Sequence, residues 1–221
     1  MDTAAQTISK VRLRLEDPDG VFFSTGDYVR SYNDALDEIS EQTEIRESSV
    51  YVKRKKWAVY TDLRGILPPN ALRITAIWNP ASEKWLDPTT VREMDLSVGR
   101  QWETNIGQTR WWFMRGLWHL GTYPVAGDDS SPLRIHYTTR LDHITESDSR
   151  VTGLSSQPLD LPPDFSVAIE NYMMYDLLVE RKEAKKSLEY YSKFLEQIPS
   201  LKNLAENRTR RDRTPRLGAR R

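Results

Sequence analysis

The sequence predicts an α+β fold: a helical core of about three long helices drawn from both chain ends, an inserted antiparallel β module, and an extended C-terminal arm. Three observations predict it. Apolar residues recur at steps of three and four near both ends of the chain, which is the period of a one-faced helix. Between them, Leu72, Ile74, Ala76 and Trp78 alternate with Arg73, Thr75 and Ile77, the period of a strand. The last stretch, Lys202 to Arg221, holds eight basic and two acidic residues and no periodic apolar pattern. The expected segments are 1–48 and 164–200 for the helical core, 49–144 for the β module, 145–163 for a linker and 201–221 for the arm.

The first helix rests on Ile8, Val11 and Leu15, and Asp17-Pro18-Asp19-Gly20 is a strong turn that ends it. Ser24 and Asp27 then form an S-x-x-D capping pattern, in which each side chain satisfies a free amide of the other residue. Tyr28, Tyr32, Ala35 and Ile39 follow on one face of a second helix, running to about Glu44. In the β module, Leu133, Ile135, Tyr137 and Thr139 alternate with polar neighbours. Two further strands are expected at Arg110–Met114 and Leu117–Tyr123, joined by Arg115-Gly116, and a weaker one at Trp57–Tyr60. Pro88-Thr89-Thr90 opens a short helix through Met94. The total is four or five strands. Asp164 is a good N-cap for the last helix. Its stripe runs through Ala168, Tyr172, Tyr175 and Val179, then Ala184, Leu188, Tyr191, Leu195 and Ile198, until Pro199 breaks it. It is either one helix of roughly 34 residues, about 50 Å long, or two halves kinked at the polar run Glu180–Lys186.

Composition narrows the chemistry. The chain has 221 residues, 38% of them hydrophobic and 29% charged, a balance that suits a folded domain. It has no cysteine, which excludes disulfides, thiolate metal sites and cysteine nucleophiles. With only His119, His136 and His143, no metal site and no cofactor are expected. No apolar run approaches the roughly 20 residues that span a bilayer, and the N-terminus lacks the layout of a signal peptide, so no membrane partner and a cytoplasmic origin are expected. The formal net charge is zero, yet the segment from Lys202 onward carries +6 and the remainder −6. Neutrality therefore hides an acidic body with a basic tail.

No catalytic constellation emerges. Asp128-Asp129 lies between Gly127 and Ser130, where acidic residues form turns. Asp142 and His143 are adjacent on an extended chain and point to opposite faces, a poor dyad. His136 and His143 suit cross-strand or surface positions better than ligation. Neither a phosphate loop nor a nucleophile elbow occurs. Trp111, Trp112, Phe113 and Trp118 suggest packing or a subunit or tail interface rather than a ligand-stacking platform, because adjacent strand residues face opposite ways. The tail has seven Arg and no Lys from Asn207 onward, and Arg favours bidentate pairing with carboxylate or phosphate.

Several stretches together resemble one family. Ile8 through Gly20 holds an R-L-x-D-x-x-G turn, and Tyr28 through Ile39 a capped acidic helix with a Y-x-N-x-A-L-x-E-I-like core. Leu67-Pro68-Pro69 precedes a strand ending in Trp78. Arg134–Tyr137 follows, and Leu161-Pro162-Pro163-Asp164 opens a Tyr-rich helix. In this order, over residues 8–198, the pieces are similar to head-to-tail adaptors of tailed phages, of the podovirus-like type. One departure is Phe22-Phe23-Ser24-Thr25, where many relatives have a Trp before the capping Ser.

The resemblance implies a structural virion protein at the head-tail junction, with no catalysis. It implies a homo-oligomeric ring, usually of twelve copies, between the portal protein and the tail or nozzle proteins, with DNA passing through the channel unbound. C-terminal extensions of such relatives reach the portal. The basic tail here matches no pattern of the family, and its role is inferred from its own charge: it would dock on the portal through Arg208, Arg210, Arg211, Arg213 and Arg216, with Leu201, Leu204 and Leu217 as apolar anchors. Two other readings stay open. One is a nucleic-acid-binding protein that uses the Arg-rich tail. The other is a small hydrolase acting during infection, which rests on weak acidic candidates.

Overall fold

A computed structural model describes residues 3–99, 101–127, 132–145 and 163–213 of the chain. It divides into two compact units, one of residues 1–46 and 140–221 and one of residues 47–139. Most of the expected linker, the Asp128-Asp129 pair, and Arg216 and Leu217 lie outside the described residues.

The helical unit contains α1 (Ala4–Arg14), α2 (Thr25–Thr43), α4 (Pro163–Glu180) and α5 (Ala184–Arg213), and the β unit contains the short α3 (Val91–Ser97). The expected core of about three long helices is therefore corrected. The first helix has only 11 residues, and the C-terminal stretch is two helices. Each N-terminal helix starts on a capping box, Thr3 with Gln6 for α1 and Ser24 with Asp27 for α2.

Between α4 and α5 the chain turns at Arg181–Glu183, where Lys182 adopts a left-handed φ of 61°. The reason is packing. The run Glu180–Lys186 offers a continuous helix almost nothing to bury, whereas a reversal lays Tyr191, Phe194 and Ile198 of α5 on the helical core and leaves Leu188 and Leu195 of the expected stripe exposed. Tyr175 then meets Tyr191 at 4.6 Å between ring centres, and Tyr172 meets Phe194 at 5.2 Å. The helix α4 is buried on nearly all sides, with Phe165, Ile169, Met173 and Leu177 fully enclosed.

Pro199 does not end α5, which continues to Arg213, so the first part of the expected extended arm is helical. Proline removes one backbone hydrogen bond and costs about 3 kcal/mol inside a helix. Burial of Leu201 and Ala205, which continue the stripe of Phe194 and Ile198, offsets most of that loss.

The β unit holds one seven-stranded sheet with the order β1-β7-β3-β4-β5-β6-β2. The strands are β1 (Arg46–Val52), β2 (Tyr60–Asp62), β3 (Ala71–Asn79), β4 (Lys84–Pro88), β5 (Trp111–Arg115), β6 (His119–Tyr123) and β7 (Leu133–Thr139). The expected antiparallel module of four or five strands is corrected twice: two more strands exist, and β4 pairs with β5 in parallel. The strands not anticipated, β1 and β4, bury few residues and so lack a clear alternation. Val52, Ile77, Leu86, Leu133 and Ile135 fill the main core of this unit. Met94, Trp102, Phe113 and Tyr123 fill a second, smaller one. No helix among the described residues is long and apolar enough to cross a membrane.

Candidate functional site

In the helical unit the most organised feature is the corner between α1 and α2. Glu16 and Gly20 take left-handed φ values of 56° and 68° there, and the buried Asp17 side chain holds the loop together. Its Oδ1 accepts from the amides of Val21 at 2.6 Å and Phe22 at 3.1 Å. Its Oδ2 accepts from the Phe23 amide and the Tyr28 hydroxyl, both at 3.1 Å. Burial alone would raise the Asp17 pKa, but the hydrogen bonds outweigh it and the carboxyl sits below its ordinary value. Burial first, and then Asp17, pushes the Tyr28 phenol up.

Two guanidinium groups brace this corner. Arg12 lies over the Tyr28 ring at 4.8 Å and donates to Thr25 Oγ1 at 2.9 Å. Arg181, from the α4–α5 turn, donates to the Leu15 carbonyl at 3.0 Å and covers the Phe22 ring at 4.8 Å. Further along α4, buried Glu170 pairs with Lys10 at 3.3 Å and Arg14 at 3.0 Å.

The segment after the β unit is fastened along α2. Asn33 exchanges two hydrogen bonds of 2.9 Å with the backbone of Ile144, and Ser40 Oγ accepts from the Leu141 amide at 3.0 Å. Arg140 pairs with Glu41 at 2.5 Å and with Asp37 at 3.5 Å, and His143 meets Asp37 at 2.9 Å.

In the β unit, one sheet face lies over the main core and the other carries aromatic and cationic side chains. Cross-strand register puts Arg134 of β7 and Trp85 of β4 on either side of Trp78 of β3. Trp78 and Trp85 meet edge to face with centroids 5.2 Å apart, and Trp85 meets His136 at 5.1 Å. Arg134 donates to Ser49 Oγ at 3.1 Å and lies 5.8 Å from the Tyr51 ring centre. Trp85 remains 46% exposed and Tyr51 62%.

Charge divides along the same units. The helical unit carries twenty basic and twenty-three acidic residues, a net of −3, and a net of −9 when the basic stretch 202–221 is set aside. Residues 47–139 carry twelve basic and nine acidic, a net of +3.

A family model of SU10 adaptor proteins matches residues 2–220, nearly the whole chain. The chain belongs to the SU10 adaptor protein family. It is thus a phage adaptor, as the resemblance of its opening helices implied, and the corner built on Asp17 is the structural content of the R-L-x-D-x-x-G turn. No curated protein matches the sequence.

The side chains singled out by sequence are distributed unevenly in this adaptor. Phe113 is enclosed in the smaller core and Trp112 in the main one, where its indole N–H has no acceptor among the described residues. Trp111 is half-buried and stacks on Tyr123 at 5.7 Å. Trp118, 37% exposed, and Leu117, 82% exposed, lie at the β5–β6 turn. Leu201 belongs to the helical unit's own core, whereas Leu204 is 38% exposed. Arg208, Arg210, Arg211 and Arg213 occupy the last turns of α5.

Asp142 pairs with Arg46 at 2.6 Å and His143 with Asp37, so the two neighbours are not joined in a dyad. His136 faces Glu47 at 3.6 Å. Among the described residues no group of three or more His, Asp or Glu is placed to hold a metal ion. Sequence reasoning missed the Tyr51–Arg134–Trp78–Trp85 row. The expected alternation put Trp78 in one file with Leu72, Ile74 and Ala76, whereas a register shift between Ile74 and Ala76 buries Ile77 and turns Trp78 to the face of Arg134.

Proposed function

We propose that this adaptor is a structural ring subunit of a tailed-phage virion, joining the portal protein to tail or nozzle proteins around a channel for DNA. A dodecameric ring of the podovirus-like type, without catalysis, is the form we favour. The observation that carries this reading is the family match over residues 2–220. Two features support it. A helical body of net −9 outside residues 202–221 repels DNA phosphates, which suits a wall that DNA must slide past. Units of opposite charge sign also supply the two different surfaces that a head-to-tail ring contact requires. Trp118 at the β5–β6 turn is available to a neighbouring subunit or tail protein.

The basic C-terminal segment docks on the portal through Leu204 and the arginines from Arg208 onward. Ordering a free arm costs on the order of 1–2 kcal/mol per residue, and exposed ion pairs contribute at most about 1 kcal/mol each. Because α5 already runs to Arg213, much of that cost is met before binding. Truncation after Asn207, beyond the last buried residue Ala205, tests the reading. It should abolish attachment to DNA-free portals and leave the melting temperature of the helical unit unchanged, with ellipticity falling only by the share of the residues removed from α5. Unchanged affinity for empty portals would refute the docking. The rival, nucleic-acid binding by the same seven arginines, instead predicts attachment to DNA that weakens steeply with salt.

A further inference from the structure

We propose that the outer face of the β sheet, centred on Trp78, Trp85 and Arg134, receives the acidic face of α2 from a second copy of this chain. The inference rests on the ring reading above and assigns the two surfaces that make the ring.

The outer face is built to bind protein. Its central row, Tyr51, Arg134, Trp78 and Trp85, holds the three residue types that dominate binding hot spots. Exposed Lys53 comes directly after the end of β1, and Arg73 extends the row, its register partner Thr138 lying in the same file as Arg134 and His136. The cations Lys53, Arg73 and Arg134 outnumber the acids Glu47 and Asp87, the latter lying two residues beyond Trp85 on β4. The two exposed rings are already packed against neighbours, so little side-chain freedom is lost on docking. Nucleic acid is a weaker occupant. The Trp rings cross at 64°, and Trp85 and His136 at 61°, which presents edges rather than the parallel faces on which bases stack.

The partner surface is on the chain itself. On α2, Asp34, Glu38 and Glu41 recur at steps of four and three, on one face. Asp34 and Glu41 are exposed. Arg140 accounts for Glu41 and Asp37, and Gln42 donates to half-buried Glu38 at 3.0 Å, while among the described residues no cation forms an ion pair with Asp34 or Glu38. The helical unit to which α2 belongs has a net charge of −9 outside its basic last stretch, residues 202–221. A contact between two different surfaces of identical chains propagates head to tail and closes into a ring when the rotation permits.

The absence of cysteine makes the test clean. Lys53→Cys and Asp34→Cys are introduced together and singly, the adaptor is assembled on purified portal, and the sample is oxidised. The double variant should give a ladder of disulfide-linked oligomers on denaturing gels, and neither single variant should. Asp34→Lys with Glu38→Lys should lose assembly, and adding Lys53→Glu with Arg134→Glu should restore it.

Rings visible by electron microscopy without a ladder overturn this pair of surfaces and leave the ring reading standing. A fast-migrating monomer from an internal disulfide does the same. No multi-subunit assembly by the unsubstituted chain overturns both. Salt-sensitive binding of a single-stranded oligonucleotide that is lost in Trp85→Ala would show that the face serves nucleic acid instead.

Discussion

Glu170 permits a test of how a buried charge is tolerated in the helical unit. Its side chain is 3% exposed, while its partners Lys10 and Arg14 are nearly half exposed. The two ways of breaking this cluster should therefore differ. Glu170→Gln keeps the volume and leaves two cations that reach water, so the loss is that of two solvated ion pairs, about 1–2 kcal/mol. Lys10→Ala with Arg14→Ala instead leaves a carboxylate buried without compensation, which costs about 3–5 kcal/mol. Counting the ion pairs broken, Lys10–Glu170 and Arg14–Glu170 in either variant, would instead give equal losses. Urea unfolding followed by far-ultraviolet ellipticity reads the helical unit. All seven Trp lie within 47–139, so Trp emission reads the β unit separately. The ellipticity transition should move to lower urea in both variants, at least twice as far in the double alanine. Equal shifts, or a larger one for Glu170→Gln, would refute the reasoning.

Three further outcomes follow from the geometry. Asp17 titrates below its ordinary 3.8 when folded, so its stabilising effect is complete above that value and fades as pH falls through the folded pKa; Asp17→Asn should lower the melting temperature at neutral pH and flatten its decline below about pH 4, which melting curves across an acid series would show. Gly121→Ala would drive a Cβ into the Phe113 ring, so the β unit should lose about 1–3 kcal/mol, read by Trp emission in urea. Trp112→Phe removes the buried indole N–H that has no acceptor among the described residues; its benefit offsets the lost volume, and the same urea titration should show a change within about 1 kcal/mol.

The parts of this adaptor that were legible in its sequence are those where burial is one-sided. Tyr28, Tyr32, Ala35 and Ile39 face the core together, and α2 followed from them. Ser24 and Asp27 marked its start because a capping box is a local hydrogen-bond pattern. β1 and β4 were illegible because a short strand with one or two buried residues has no period to read. The end of α5 was misjudged at Pro199, where a local penalty pointed one way and distant burial of Leu201 and Ala205 the other. Asp17 looked like a turn former; that three amides and a phenol converge on its carboxylate depends on residues up to eleven positions away. The aromatic row on the sheet needed strand register, which pairs β3 with β7 across some sixty residues.

The tying of both chain crossings explains how a β unit can sit inside a helical one without weakening it. The chain leaves the helical unit at Arg46 and returns at Arg140. On the β side, the first and last strands, β1 and β7, are neighbours in the sheet. On the helical side, Arg46 meets Asp142 at 2.6 Å, and the segment 140–144 is hydrogen-bonded along α2. Entry and exit are thus adjacent in each unit, the arrangement in which an inserted domain is tolerated, because the host loses only the closure entropy of one long loop. That entropy grows slowly with loop length, so the β unit can vary in size and surface while the helical unit stays constant.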